Sequence, residues 1–286
     1  MILYILLGIL VGQAVVWLAD RLPDQTPVFS METCPGCGEP LQEQPALSRW
    51  TAALGWMGCA SGGRRLRWRS LLVIVVTAAG FGFLWGRYAD WHSLIPLTFY
   101  WTVSMLVAII DLEHRLIIND VVIFPAMVLA LVGAFILPVP EMWQSVVDAL
   151  NSSFLNLAPG LWFALLGGLV GFGFMYVVYL LSKPFVKLMA RRRGRSIKEV
   201  PFGGGDVTLS IFIGLVTGFP GVIFALVIGI VVGVVGALAY LFWEAIVRKR
   251  YVPFTAIPYG PFLIIGGLVM MMYGEQIITA YLRPYM

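Results

Sequence analysis

The stretch 221-GVIFALVIGIVVGVVGALAYLFW-243 contains no charged side chain. Roughly 20 consecutive apolar residues in a helix cross the hydrocarbon core of a bilayer. In lipid only helices or closed barrels satisfy every backbone N–H and C=O, and a long unbroken apolar run favours the helix. Comparable runs occupy 2–19, 70–86, 94–110, 116–137, 161–181, 207–219 and 261–282, so the reading is about eight spans. The 207–219 run is short for a full crossing and begins directly after a run of glycines. Composition agrees: 60% of the 286 residues are hydrophobic, 12% are charged, and mean hydropathy is +0.89. A soluble domain needs far more charge to cover its surface. The predicted fold is an all-α polytopic transmembrane bundle.

Orientation follows from Lys and Arg, which collect in cytosolic loops. With the N-terminus outside, segments 20–69, 111–115, 183–200 and 244–258 fall inside and hold 17 of the 19 basic residues. Arg87 and Arg283 are the two left outside, and the long 138–160 loop has neither Lys nor Arg. The pI near 9.0 therefore reflects topology and gives no reason to expect a nucleic-acid partner. The run 191-RRRGR-195 is expected to lie against anionic lipid headgroups. Apolar residues follow Met1 directly, with no basic region before them and no small-residue cleavage site after them, so 1–19 reads as an uncleaved anchor. Residues 20–69 read as a small cytosolic loop domain between spans 1 and 2, and 70–286 as the main transmembrane core. The loop domain is rich in Pro, Gly and Gln and holds all three cysteines, Cys34, Cys37 and Cys59. Its low apolar content calls for a metal, or for packing on the membrane part, to hold it.

Acids at a membrane edge cost free energy and invite a functional reading. Asp111 follows the apolar run 105-MLVAII-110 and opens 111-DLEHRLIIND-120; Asp206 follows 201-PFGGG-205. On the topology above both lie at the cytosolic face. Two carboxylates about 3 Å apart share a proton and titrate as a unit. The ionised one can take a proton from water while the protonated one polarises a carbonyl, which is the chemistry of peptide hydrolysis without a metal. Glycines 203–205 allow close approach of a helix or an extended substrate. The residues alone also permit simpler readings. Asp111 and Arg115 have the i,i+4 spacing of a surface ion pair, and Asp206 could cap a helix. Asp120 competes with Asp111: on one continuous helix the two would face opposite ways, and only one could meet Asp206.

Three stretches carry a resemblance. Residues 111-DLEHRLIIN-119 are similar to the first aspartate motif, 203-GGGDVTL-209 to the GxGD motif, and 257-IPYGPFLIIGG-267 to the C-terminal IPxGP segment, of the type IV prepilin leader peptidases. Two positions depart from the pattern: Ile118 stands where the family usually has proline, and Thr208 where it commonly has lysine. The resemblance implies a membrane aspartic peptidase that removes the basic leader of pilin-like precursors serving pili or type II secretion. The cut falls after a glycine, just before the substrate's hydrophobic helix. Asp111 and Asp206 would be the catalytic pair, Gly203 and Gly205 would allow close approach, and Glu113 and Arg115 would support the site. The enzyme would be a multi-pass protein of the bacterial inner membrane, with its site facing the cytosol.

Proteolysis of this kind needs no cofactor. Bifunctional members also methylate the new N-terminus with S-adenosylmethionine and carry two zinc-binding CxxC pairs in the first cytosolic loop. Here 34-CPGC-37 is intact, but 59-CASG-62 keeps a single cysteine. A structural zinc wants four ligands, so Cys34, Cys37 and Cys59 would need a fourth donor. A disulfide is disfavoured in a reducing cytosol. Readings from other classes are a transporter or channel whose paired acids bind a cation, and a non-catalytic scaffold of a secretion machine. Transporters place such acids near the bilayer midplane, whereas both acids here sit at its edge.

Overall fold

A computed structural model describes residues 1–23, 68–88, 90–136, 159–193, 203–246 and 258–282. The described elements are α1 (Ile2–Ala19), α2 (Trp68–Arg87), α3 (Trp91–His114), a π-helical turn (Asn119–Ile123) running into α4 (Phe124–Ile136), α5 (Pro159–Arg193), α6 (Gly204–Thr217), α7 (Gly221–Ile246) and α8 (Gly260–Leu282). Among the described residues there is no strand. Seven of the helices, with the π-turn and α4 counted as one, are long and apolar enough to cross a membrane; α6 is the short one. The expected spans are therefore matched nearly end for end, except that α5 continues to Arg193. Large side chains such as Leu72, Val75, Val128, Leu169 and Val235 are exposed along these helices, as lipid-facing residues should be. Cys34, Cys37 and Cys59, and nearly all of the expected loop domain, lie outside the described residues.

The helices group into two compact units, Met1–Leu116 and Ile117–Met286. In the first, α1 packs on α2 through small residues. A Cβ on Gly8 would come within 2.8 Å of the Ala78 Cα, and one on Gly12 within 2.9 Å of the Ile74 Cα. Gly80 of α2 leaves room for the Trp101 ring of α3, and Tyr4 stacks at a tilt on Phe81 and Trp85. Asp90 caps α3 by accepting from Ser93 N at 2.8 Å.

The second unit is built on two glycine contacts. A Cβ on Gly167 of α5 would collide with the Gly214 carbonyl of α6, and one on Gly214 with the Gly167 carbonyl. On the other side, Gly266 of α8 sits equally tight on the Ala225 carbonyl of α7. Lipid tails are as apolar as leucine, so helices in a bilayer associate through such close packing and not by escaping water. A buried hydrogen bond adds to the α5–α6 seam: Ser210 Oγ donates to Gly171 O at 3.0 Å. These contacts fix α6, the helix whose first turn carries Asp206.

Gly214→Ala should lower the thermal midpoint of the purified protein by several degrees, because its new methyl meets backbone that cannot yield. Gly173→Ala on α5, where nothing lies within 4 Å of the added Cβ, should leave the midpoint unchanged or raise it, since alanine gains about 0.5–1 kcal/mol over glycine inside a helix. Equal midpoints for the two variants would contradict this packing.

Candidate active site

Asp111 lies on the last turn of α3. The helix ends at His114, and Arg115 leaves in the left-handed conformation with φ 51°, its N–H bonded to Asp111 O at 2.9 Å. Residues 115–118 are not helical, and the π-helical turn then begins at Asn119. Asp111 and Asp120 are thus not on one continuous helix. Asp111 is 5% exposed, whereas Asp120 is exposed. Burial, more than helical phase, separates the two candidates. Ile118 has φ −83° and ψ 98°, close to the φ that proline fixes near −65°, so isoleucine holds the turn without the ring.

Asp206, 8% exposed, is the third residue of α6. Its Oδ2 accepts from Gly203 N at 2.9 Å, the one half of a capping box that a glycine N-cap permits. Gly203, not Asp206, is thus the N-cap, and Asp206 braces the helix start from its third position by accepting the N-cap N–H. A helix N-terminus also favours a carboxylate.

Inside the second unit, the end of the first aspartate motif packs on the first turn of α6. A Cβ on Gly205 would lie 2.7 Å from Ile117 Cβ, so only glycine fits there. Two residues beyond Asp206, the Thr208 hydroxyl meets Asn119 Oδ1 at 2.5 Å and Gly205 O at 2.9 Å. Gly203 is different: an added Cβ would meet nothing closer than Gly205 N at 3.8 Å. Just before α8, the Tyr259 ring lies against Gly233 of α7. Burial, and then the charge of Asp206, push its phenol up to about 12. It stays protonated at neutral pH and able to donate.

Residues 97–238 match the type IV leader peptidase family. The chain is 23% identical over 278 residues to a prepilin leader peptidase/N-methyltransferase of Bacillus subtilis, covering 96% of this chain and 95% of the relative. A protein of the same name from Dichelobacter nodosus is 28% identical over 256 residues, covering 85% and 71%. Another, from Xanthomonas campestris pv. campestris, is 28% identical over 174 residues, which span 61% of this chain but only 48% of that relative. The chain belongs to the type IV leader peptidase family. No solved structure matches it significantly.

As a leader peptidase it is a multi-pass membrane enzyme, and its expected site residues now have surroundings. Glu113, on the same turn as Asp111, is paired with Arg69, and Arg115 is exposed at the helix cap. Sequence reasoning passed over Ile117, Asn119 and Tyr259. All three lay inside the quoted motifs, but nothing in a linear pattern says that an asparagine will meet a threonine many residues later. If the α6 contacts matter to the peptidase, Gly205→Ala should cut leader cleavage in isolated membranes at least tenfold, since a 1 Å misplacement of reacting groups can cost about 100-fold. Gly203→Ala should stay within about threefold, because its methyl meets no neighbour. The reverse ranking would show that Ile117 does not constrain the site.

Proposed function

We propose that this leader peptidase cleaves pilin-like precursors at the cytosolic face of the inner membrane, with Asp111 and Asp206 as its catalytic pair. The observation that carries the reading is the packing of Ile117 and Asn119, from the chain just beyond Asp111, on the α6 turn that holds Asp206. Each acid is nearly buried at a helix end beside its own motif, where a carboxylate is costly without a use. The ionised carboxylate takes a proton from water. The water oxygen bonds to the scissile carbonyl carbon while the protonated carboxyl hydrogen-bonds and protonates the carbonyl oxygen. As the tetrahedral diol collapses and the C–N bond breaks, one hydroxyl returns its proton to the carboxylate that supplied it, and the new N-terminal amine leaves with the proton taken from water. No covalent enzyme intermediate forms. An extended leader junction reaches the pair, while the substrate's apolar helix stays in lipid beside the spans.

The orientation, with the N-terminus outside and the site inside, rests on the distribution of Lys and Arg. The reading also includes binding of 191-RRRGR-195 to anionic headgroups. It extends to methylation of the new N-terminus with S-adenosylmethionine, and to a structural zinc on Cys34, Cys37 and Cys59 with a fourth donor. No step of the hydrolysis passes through either group.

Co-expression with a pilin-like precursor tests the pair. Asp111→Asn and Asp206→Asn should each abolish leader removal, scored as the mobility shift of the precursor, with enzyme present at normal levels in the membrane. Asp120→Asn should cleave normally. Leader removal at wild-type rate by either of the first two variants would end the assignment.

A further inference from the structure

Arg69 stands at the second position of α2, and its guanidinium reaches acids from two other helix ends. Nη1 lies 2.6 Å from Asp20 Oδ1, and Nε lies 2.6 Å from Glu113 Oε1. Asp20 directly follows α1, and its side chain is only 6% exposed. Glu113 is on the last turn of α3, two residues past Asp111. All three charges sit where the helix dipole disfavours them: the acids at C-terminal ends, the cation at an N-terminal end. Local helix preference therefore does not explain their placement; contact among the three does. Arginine suits the position because its planar fork can serve two carboxylates at once, which the single ammonium of lysine does poorly.

The end of α3 also needs an outside hold. Helical pairing stops at His114, Arg115 turns left-handed, and 115–118 carry no helix onward. The turn bearing Asp111 is thus continued by helix on one side alone, and Glu113 adds a link to α2 and, through Arg69, to the end of α1. We propose that Arg69, anchored on Asp20, is a positioning residue that holds Glu113 and so fixes where Asp111 presents its carboxyl. This rests on the reading of Asp111 as catalytic. Reacting groups must be held within fractions of an ångström, so losing the hold slows the chemical step more than it weakens substrate binding.

The test measures kcat, KM and thermal midpoint of the purified enzyme on a pilin-like precursor. The variants are Arg69→Met, Glu113→Ala, the double variant and Arg69→Lys, with Asp111→Asn as reference. Each single change at Arg69 or Glu113 should lower kcat about tenfold with KM within about twofold, and the double should lose no more than the worse single, since both act through one contact. Arg69→Lys keeps the charge and carries the test if Arg69→Met does not fold. It should still show the kcat loss. Wild-type kcat in Arg69→Lys, or losses that multiply in the double variant, would overturn the positioning role. An inactive Asp111→Asn alongside those results would leave the catalytic reading standing, whereas an active Asp111→Asn would remove that reading itself.

Discussion

Hydrocarbon offers a backbone no hydrogen-bond partner, and the organisation of this protein follows from that constraint. At membrane depth the chain is helical wherever it is described, and irregular backbone is confined to helix ends. The segment 115–118, Gly203 before α6 and the residues just before α8 are such ends. Charge is sorted by the same rule, since a carboxylate is tolerated where a helix stops and polar partners are near. A membrane enzyme of this kind works at the rims of its helices because that is where acids and free backbone can exist.

The constraint also shapes packing. Without a drive to leave water, helices must hold together by fitting closely, and glycine is the residue that permits it. Gly167 on Gly214, and Gly266 on the Ala225 carbonyl, bring backbones into contact. The seam between α5 and α6 matters because α6 is only 14 residues long. A helix that short draws little from its own length, so its position comes from its neighbours. The geometry around Asp206 is thus a consequence of packing one turn and more below it.

Much of this was legible in the sequence. Apolar runs mark spans with little ambiguity, and the ends of α1, α7 and α8 fall within a few residues of the runs that announced them. The motifs around Asp111 and Asp206 were equally plain, as was the family they indicate. Pairings between distant residues were not. Arg69 looked like one more basic residue in a cytosolic loop, yet it bridges Asp20 and Glu113. Thr208 was noticed only as a missing lysine, yet its hydroxyl meets Asn119. Periodicity and charge counts describe one segment at a time, whereas these contacts depend on which helix ends the fold brings together. Likewise, the motif put Asp111 ahead of Asp120, but the break at Arg115 and the burial of one acid and not the other have no sequence signal.

The central proposal is that Asp111 and Asp206 act as one catalytic pair. Paired cysteines test it most directly, in a background where Cys34, Cys37 and Cys59 are serine. Asp111→Cys with Asp206→Cys should form a disulfide rapidly under mild oxidation in native membranes, read as a mobility shift that reductant reverses. Asp120→Cys with Asp206→Cys should not. Crosslinking of the 120–206 pair in place of 111–206 would contradict the account.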